Sequence, residues 1–118
     1  MKKFPNKKYV NISNYYSDYA LELDKCFKNT NIQELELIKK VLKKHYKTKN
    51  KIYVCGNGGS AAIANHFECD HKKILSETKK INPRIISLCV NNPLISAISN
   101  DISYEDIFSK QLEYLANN

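Results

Sequence analysis

The sequence predicts an α/β layered fold in which parallel strands are joined by a helical crossover. Three observations carry this. Two amphipathic helix patterns lead the chain, two short apolar runs (KIYVC and RIISLCV) follow with a helical stretch between them, and three glycines cluster where the first run meets that stretch. One soluble domain is the most that 118 residues with 42% apolar content support.

Each element has its own signal. Between Ile12 and Phe27, Tyr15, Tyr19, Leu23, Cys26 and Phe27 recur at three- and four-residue spacing, which predicts an amphipathic helix. Thr30 and Gln33 form a capping-box pattern for a second helix. Its apolar stripe is Ile32, Leu35, Ile38, Val41, Leu42 and Tyr46, and it runs into the basic segment KTKNK. Basic residues at that end suit the helix dipole. KIYVC is short, β-branched and apolar, as a strand buried on both faces should be. SAAIANHFECDHKKIL is helical in composition, and RIISLCV is the second buried-strand candidate. Pro93 opens a short helix through Ile98. Ser103 with Asp106 predicts the cap of a last helix, YEDIFSKQLEYLANN. Residues 1–50 thus hold the leading helices, and 51–118 hold a βαβα portion.

Composition narrows the function classes. The start has basic residues with no apolar run behind them, so neither a secretory signal nor a membrane span is expected. Cys26, Cys55, Cys69 and Cys89 contain no C-x-x-C pair, which argues against a zinc ribbon or a disulfide scaffold and makes the cytoplasm the expected compartment. Cys55 and Cys89 end apolar runs and read as small core residues. The net charge of +7 comes from 18 lysines and one arginine. Lys39, Lys40, Lys43, Lys44 and Lys47 fall on what read as polar helix faces, and no nucleic-acid recognition motif is present. Solvated faces, not a nucleic-acid partner, are therefore expected.

The glycines carry the chemistry. Gly56, Gly58 and Gly59 lie at the carboxyl end of the first strand, where open α/β sheets bind ligands. The amides that open the next helix favour an anion such as phosphate, and Ser60 adds a hydroxyl. G-N-G-G-S lacks the lysine of a P-loop, and Ala61 stands where a dinucleotide loop has its last glycine. These residues alone leave open a tight turn without any ligand. His66 and Asp70, four apart on the helix, are separated by about 40° around the axis and share a face. His71 points elsewhere. Two ligands alone do not make a zinc site, and an isolated pair of this kind also reads as a surface hydrogen bond. Asn100 and Asp101 read equally well as turn residues.

CGNGGSAAIANHF and, further on, AISNDISYEDIFSKQLEYL closely resemble the bacterial phosphoheptose isomerases of the sugar isomerase (SIS) domain superfamily. The resemblance implies a three-layer αβα, flavodoxin-like parallel-sheet fold with two leading helices. It implies ketose–aldose isomerisation of sedoheptulose 7-phosphate on the way to lipopolysaccharide or S-layer heptose, through an enediol. By the same resemblance, Asn57, Gly58, Gly59, Ser60, Asn100 and Asp101 bind substrate. His66 matches a zinc ligand, and Asp70 stands where these enzymes usually carry a glutamate that is both ligand and catalytic base. Aspartate is one methylene shorter than that glutamate. A homotetramer is the implied assembly.

Family members run well beyond residue 118, through a serine-rich S-T-S-G phosphate loop and a late helix with the remaining metal ligand and a catalytic histidine. The chain is therefore expected to be one incomplete SIS domain, inactive alone, with an open edge and an uncovered apolar face on KIYVC. Two other classes stay in view. One is a non-catalytic SIS module binding a sugar phosphate or a partner protein. The other is a purely structural helical interaction domain.

Overall fold

The computed structural model describes residues 4–48, 50–79 and 81–116. The chain divides into two compact units, Met1–Ile38 and Lys39–Asn118.

The first unit is built around α1 (Ile12–Lys28), which Asn11 caps by accepting the Asn14 amide at 2.9 Å. Aromatic side chains at helical spacing give α1 one ring-bearing face, and the segment before it folds back onto that face. Phe4 lies 5.4 Å from Tyr15 and 5.6 Å from Tyr19 between ring centroids, and Tyr9 meets Tyr15 edge-on at 5.3 Å. Asp18 pins the same segment. It accepts the Tyr9 hydroxyl at 2.9 Å and pairs with Lys7 at 2.6 Å, and these partners hold its carboxyl below the ordinary value.

Helix α2 (Ile32–Tyr46) begins one residue later than the Thr30–Gln33 box predicts. Asn31 is the cap: its Oδ1 accepts the Gln33 amide at 3.0 Å and the Glu34 amide at 3.3 Å. The Thr30 hydroxyl instead donates backward to the Cys26 carbonyl at 2.9 Å, closing α1. A short amide-type side chain next to the helix outcompeted the hydroxyl one position further out. Much of the apolar stripe of each helix stays exposed, and neither helix has a buried residue.

In the second unit, β1 (Lys51–Val54) and β2 (Arg84–Ser87) pair in parallel, Lys51 opposite Arg84 through Val54 opposite Ser87. The crossover between them is α3 (Gly59–Lys79), which packs on both strands. This is the predicted α/β arrangement: a small parallel sheet flanked by helices, as in an SIS-type layered fold. Helix α4 (Asn92–Asp101) follows, capped by the Asn91 side chain on the Leu94 amide at 3.1 Å, with proline in its first turn. A 3₁₀ turn, Tyr104–Asp106, and α5 (Ser109–Leu115) complete the described chain.

The core is small: Ala64 of α3, Ile85 of β2, Leu88 and Cys89 beyond it, Ile98 of α4 and Ile107. Gln111 is buried with them because its side-chain amide donates to the carbonyls of Leu88 (3.0 Å) and Ile107 (2.7 Å). Helix α5 is tied down at its other end. Lys51 Nζ and the Tyr53 hydroxyl, two residues apart on one face of β1, both donate to the Leu115 carbonyl at 2.6 Å. A cation at a helix carboxyl terminus also opposes its dipole favourably.

Four expectations need correction. Every residue of β1 is only half-buried, so KIYVC is not covered on both faces, and Cys55 is exposed, not a core residue; Cys89 is buried as predicted. The last helix does not start at the Ser103 cap. The Asp106 carboxylate accepts the hydroxyls of Ser103 (2.8 Å) and Ser109 (3.1 Å), closing a 3₁₀ turn before α5 opens; those bonds hold its pKa below the ordinary 3.8. Helix α4 runs past Ile98, so Asn100 and Asp101 are helical, not turn residues. Among the described residues, no helix is long and apolar enough to cross a membrane.

Candidate functional site

The glycine turn lies between β1 and α3, at the carboxyl end of the strand. Its three glycines do different things. A Cβ on Gly56 would stand 2.6 Å from the Ser60 backbone, so the turn closes only around a bare α-carbon. Gly58 has φ +56°, the left-handed conformation that side chains resist. A Cβ on Gly59 would meet nothing within 4 Å. Asn57 and Gly58 carbonyls accept the Ser60 and Ala61 amides at 3.1 Å, tightening the first turn of α3. Asn57, Gly58, Gly59 and Ser60 are all exposed, so the turn presents its backbone to solvent.

Helix α3 carries the titratable candidates. His66 and Asp70 are one turn apart and both exposed. His71 is engaged within its own helix and by a neighbouring ring: Nδ1 lies 2.8 Å from the Phe67 carbonyl, and its ring stacks on Phe67 at 4.0 Å and leans on Tyr46 at 5.7 Å. Burial in this cluster raises the Tyr46 hydroxyl pKa. Asp70 and His71 with Ile74 and Leu75 line a shallow cleft of about 130 Å³.

A chain of hydrogen bonds joins the glycine turn to α3 through the end of β2. The Cys89 thiol donates to the Gly56 carbonyl at 3.2 Å, and the Cys89 amide donates to Ser87 Oγ at 3.2 Å. Ser87 Oγ donates in turn to Asn65 Oδ1 at 2.7 Å, while the Ser87 amide donates to Glu68 Oε2 at 2.5 Å. Lys72 pairs with the other Glu68 oxygen at 2.5 Å. Asn100 and Asp101 stand apart from this chain. At the carboxyl end of α4, Asn100 Nδ2 donates to Asp101 Oδ1 at 2.8 Å, and both are exposed.

Zinc takes imidazole and carboxylate donors, which His66 and Asp70 are, but its sites use three or four protein ligands. Among the described residues, no three ligand-type side chains gather. These residues do not make a zinc site by themselves.

A strand-end glycine turn opening a helix with this polar face is matched along nearly the whole chain. Residues 15–117 fit the SIS domain family. The chain belongs to that family. Among its SIS-domain relatives, a probable phosphoheptose isomerase of Thermoplasma volcanium is 36% identical over 100 residues, covering 85% of this chain and 50% of the relative. The phosphoheptose isomerase of Clostridium acetobutylicum is 35% identical over 82 residues, 70% of this chain and 41% of that protein. The phosphoheptose isomerase structure from Neisseria gonorrhoeae superposes with a TM-score of 0.67 at 26% identity, over 90% of this chain and 53% of that one. The chain spans about half the length of the curated relatives it matches.

Within this SIS domain, sequence reasoning missed Asn65, Glu68, Ser87 and Cys89 as a connected group. Apart from the Cys89–Ser87 bond, the links of this group join residues 19 to 33 apart, beyond any local pattern. One signal was available: Ser87 is the sole hydroxyl inside the apolar run RIISLCV.

Proposed function

We propose that this SIS domain binds a phosphorylated sugar at the glycine turn and supplies one part of a phosphoheptose-type ketose–aldose isomerase. The observation that carries this reading is the exposed Asn57–Ser60 backbone at the mouth of α3, one helix face of which presents His66 and Asp70. The amides of Gly58 and Gly59 and the Ser60 hydroxyl are donors suited to an anionic substrate. Asp70, exposed on α3, is the base in this reading, moving a proton between adjacent substrate carbons. Asn100 and Asp101 contribute polar contacts to the sugar.

Zinc belongs to the same proposal. His66 and Asp70 would hold it together with donors from outside the described residues, and the ion would steady the developing oxyanion. Residues 1–118 alone are then a binding module without turnover, and self-association is part of the reading.

A titration of ¹⁵N-labelled chain with sedoheptulose 7-phosphate tests it. Resonances of Gly58, Gly59 and Ser60 should move, with smaller shifts at Asn100 and Asp101. Movement confined to other elements, or none at saturating sugar, overturns the assignment. A non-catalytic SIS module predicts the same shifts; binding without turnover in a chain extended to the relatives' length would favour it, whereas retained activity in Asp70→Ala of that extended chain would overturn Asp70 as the base.

A further inference from the structure

We propose that Ser87 is a positioning residue whose hydroxyl couples the glycine turn to α3, fixing the turn's amides relative to His66 and Asp70. The inference rests on the functional reading above and adds to it a residue that touches no substrate.

Ser87 is 2% exposed at the end of β2, and both its hydroxyl and its amide are engaged. Its hydroxyl donates to Asn65, accepts from the Cys89 amide, and its own amide donates to Glu68. Asn65 and Glu68 are three apart on α3 and so lie on one face. Two directional bonds from neighbouring turns of a helix to one strand residue oppose rolling of that helix, which apolar packing alone resists far less. His66 follows Asn65 and Asp70 lies two beyond Glu68, about 100° and 200° further round the axis. With the gripping face held on β2, those two side chains are turned away from it, and both are exposed.

The other arm of the network reaches the turn. Cys89 takes its amide bond from Ser87 and gives its thiol proton to the Gly56 carbonyl, the residue just before Asn57. The turn is tight at the residue the thiol grips, where a Cβ would stand 2.6 Å from the Ser60 backbone. An alanine at 87 would suit the apolar run equally well as packing. The hydroxyl adds a fixed geometry, because a fully satisfied buried polar group rigidifies its surroundings. Among the described residues, no buried side-chain polar atom is left without a partner.

Backbone ¹⁵N relaxation on the full chain tests the coupling. Wild-type Gly58 and Gly59 should give order parameters near the rigid value of about 0.85, falling below about 0.6 in Ser87→Ala. Ile52 and Ile85 should keep their wild-type values. Cys89→Ser should preserve the rigid turn, since it keeps a donor for Gly56, and Cys89→Ala should loosen it. Asn65→Ala, which leaves the strand residue intact, reads the other arm and should also loosen the turn. Unchanged Gly58 and Gly59 in Ser87→Ala and Asn65→Ala would overturn the proposal. So would equal loosening of β1 and β2, which marks a merely structural role. In the same spectra, Ser87→Ala should weaken sedoheptulose 7-phosphate binding about tenfold, the cost of roughly one hydrogen bond's worth of alignment. Wild-type spectra unmoved by that sugar would overturn the functional reading alone, leaving the coupling to be decided by relaxation.

Discussion

Gly56, Gly58 and Gly59 sit within four positions, yet the backbone needs only two of them. Gly56 is required by crowding against the Ser60 backbone and Gly58 by its left-handed φ, whereas Gly59 has open space where a side chain would go. This separates folding from binding. Gly56→Ala should cost about 1–3 kcal/mol through overpacking, and Gly58→Ala about 1–2 kcal/mol through its conformation. Gly59→Ala should be neutral or stabilising by up to about 1 kcal/mol, because glycine is a poor helix residue. Urea unfolding monitored by circular dichroism measures all three. If Gly59→Ala destabilises as much as Gly56→Ala, the open space at that position has been misjudged. A stable Gly59→Ala chain that binds sedoheptulose 7-phosphate as wild type does would show that the vacant side-chain position does not face the ligand.

Element boundaries were decided by which short polar side chain reached the orphan amides first. Thr30 and Asn31 are adjacent, and both are plausible helix caps by residue type; the chain uses Asn31 on two amides and turns Thr30 back onto α1. Asn31→Ala should therefore destabilise by about 1 kcal/mol, and Thr30→Ala by less, since it loses one exposed hydroxyl bond. Chemical denaturation of the two variants side by side checks this, and a larger loss from Thr30→Ala would restore the predicted capping box. The same competition explains α5. Asp106 lies three residues after Ser103, as a capping box requires, but its carboxylate takes the hydroxyls of Ser103 and Ser109 together, so a 3₁₀ turn forms and the α-helix starts later. Hydroxyl spacing is legible in a sequence, while the choice between two acceptors a turn apart depends on where the preceding helix ends.

At the scale of the whole molecule, the apolar stripes read from helical periodicity exist, but several of their large side chains stay exposed. Leu23, Phe27, Leu35 and Ile38 are between 43% and 68% exposed on α1 and α2. Exposed apolar surface of this kind marks an interaction site. Sedimentation equilibrium of residues 1–118 should accordingly show a weight-average mass that rises with concentration, and a single monomeric mass at all loadings would count against self-association. Periodicity, the strand-end glycines and the order of elements were enough to establish a parallel α/β fold, because each is read from short stretches of sequence, and two motif blocks carried the resemblance to the SIS family. Tertiary structure alone decided that Cys55 faces solvent while Cys89 grips the glycine turn, and that Ser87 links the turn to α3. Those outcomes depend on segments 19 to 33 residues apart meeting across the sheet, and no pattern confined to one helix or strand records which of them will touch.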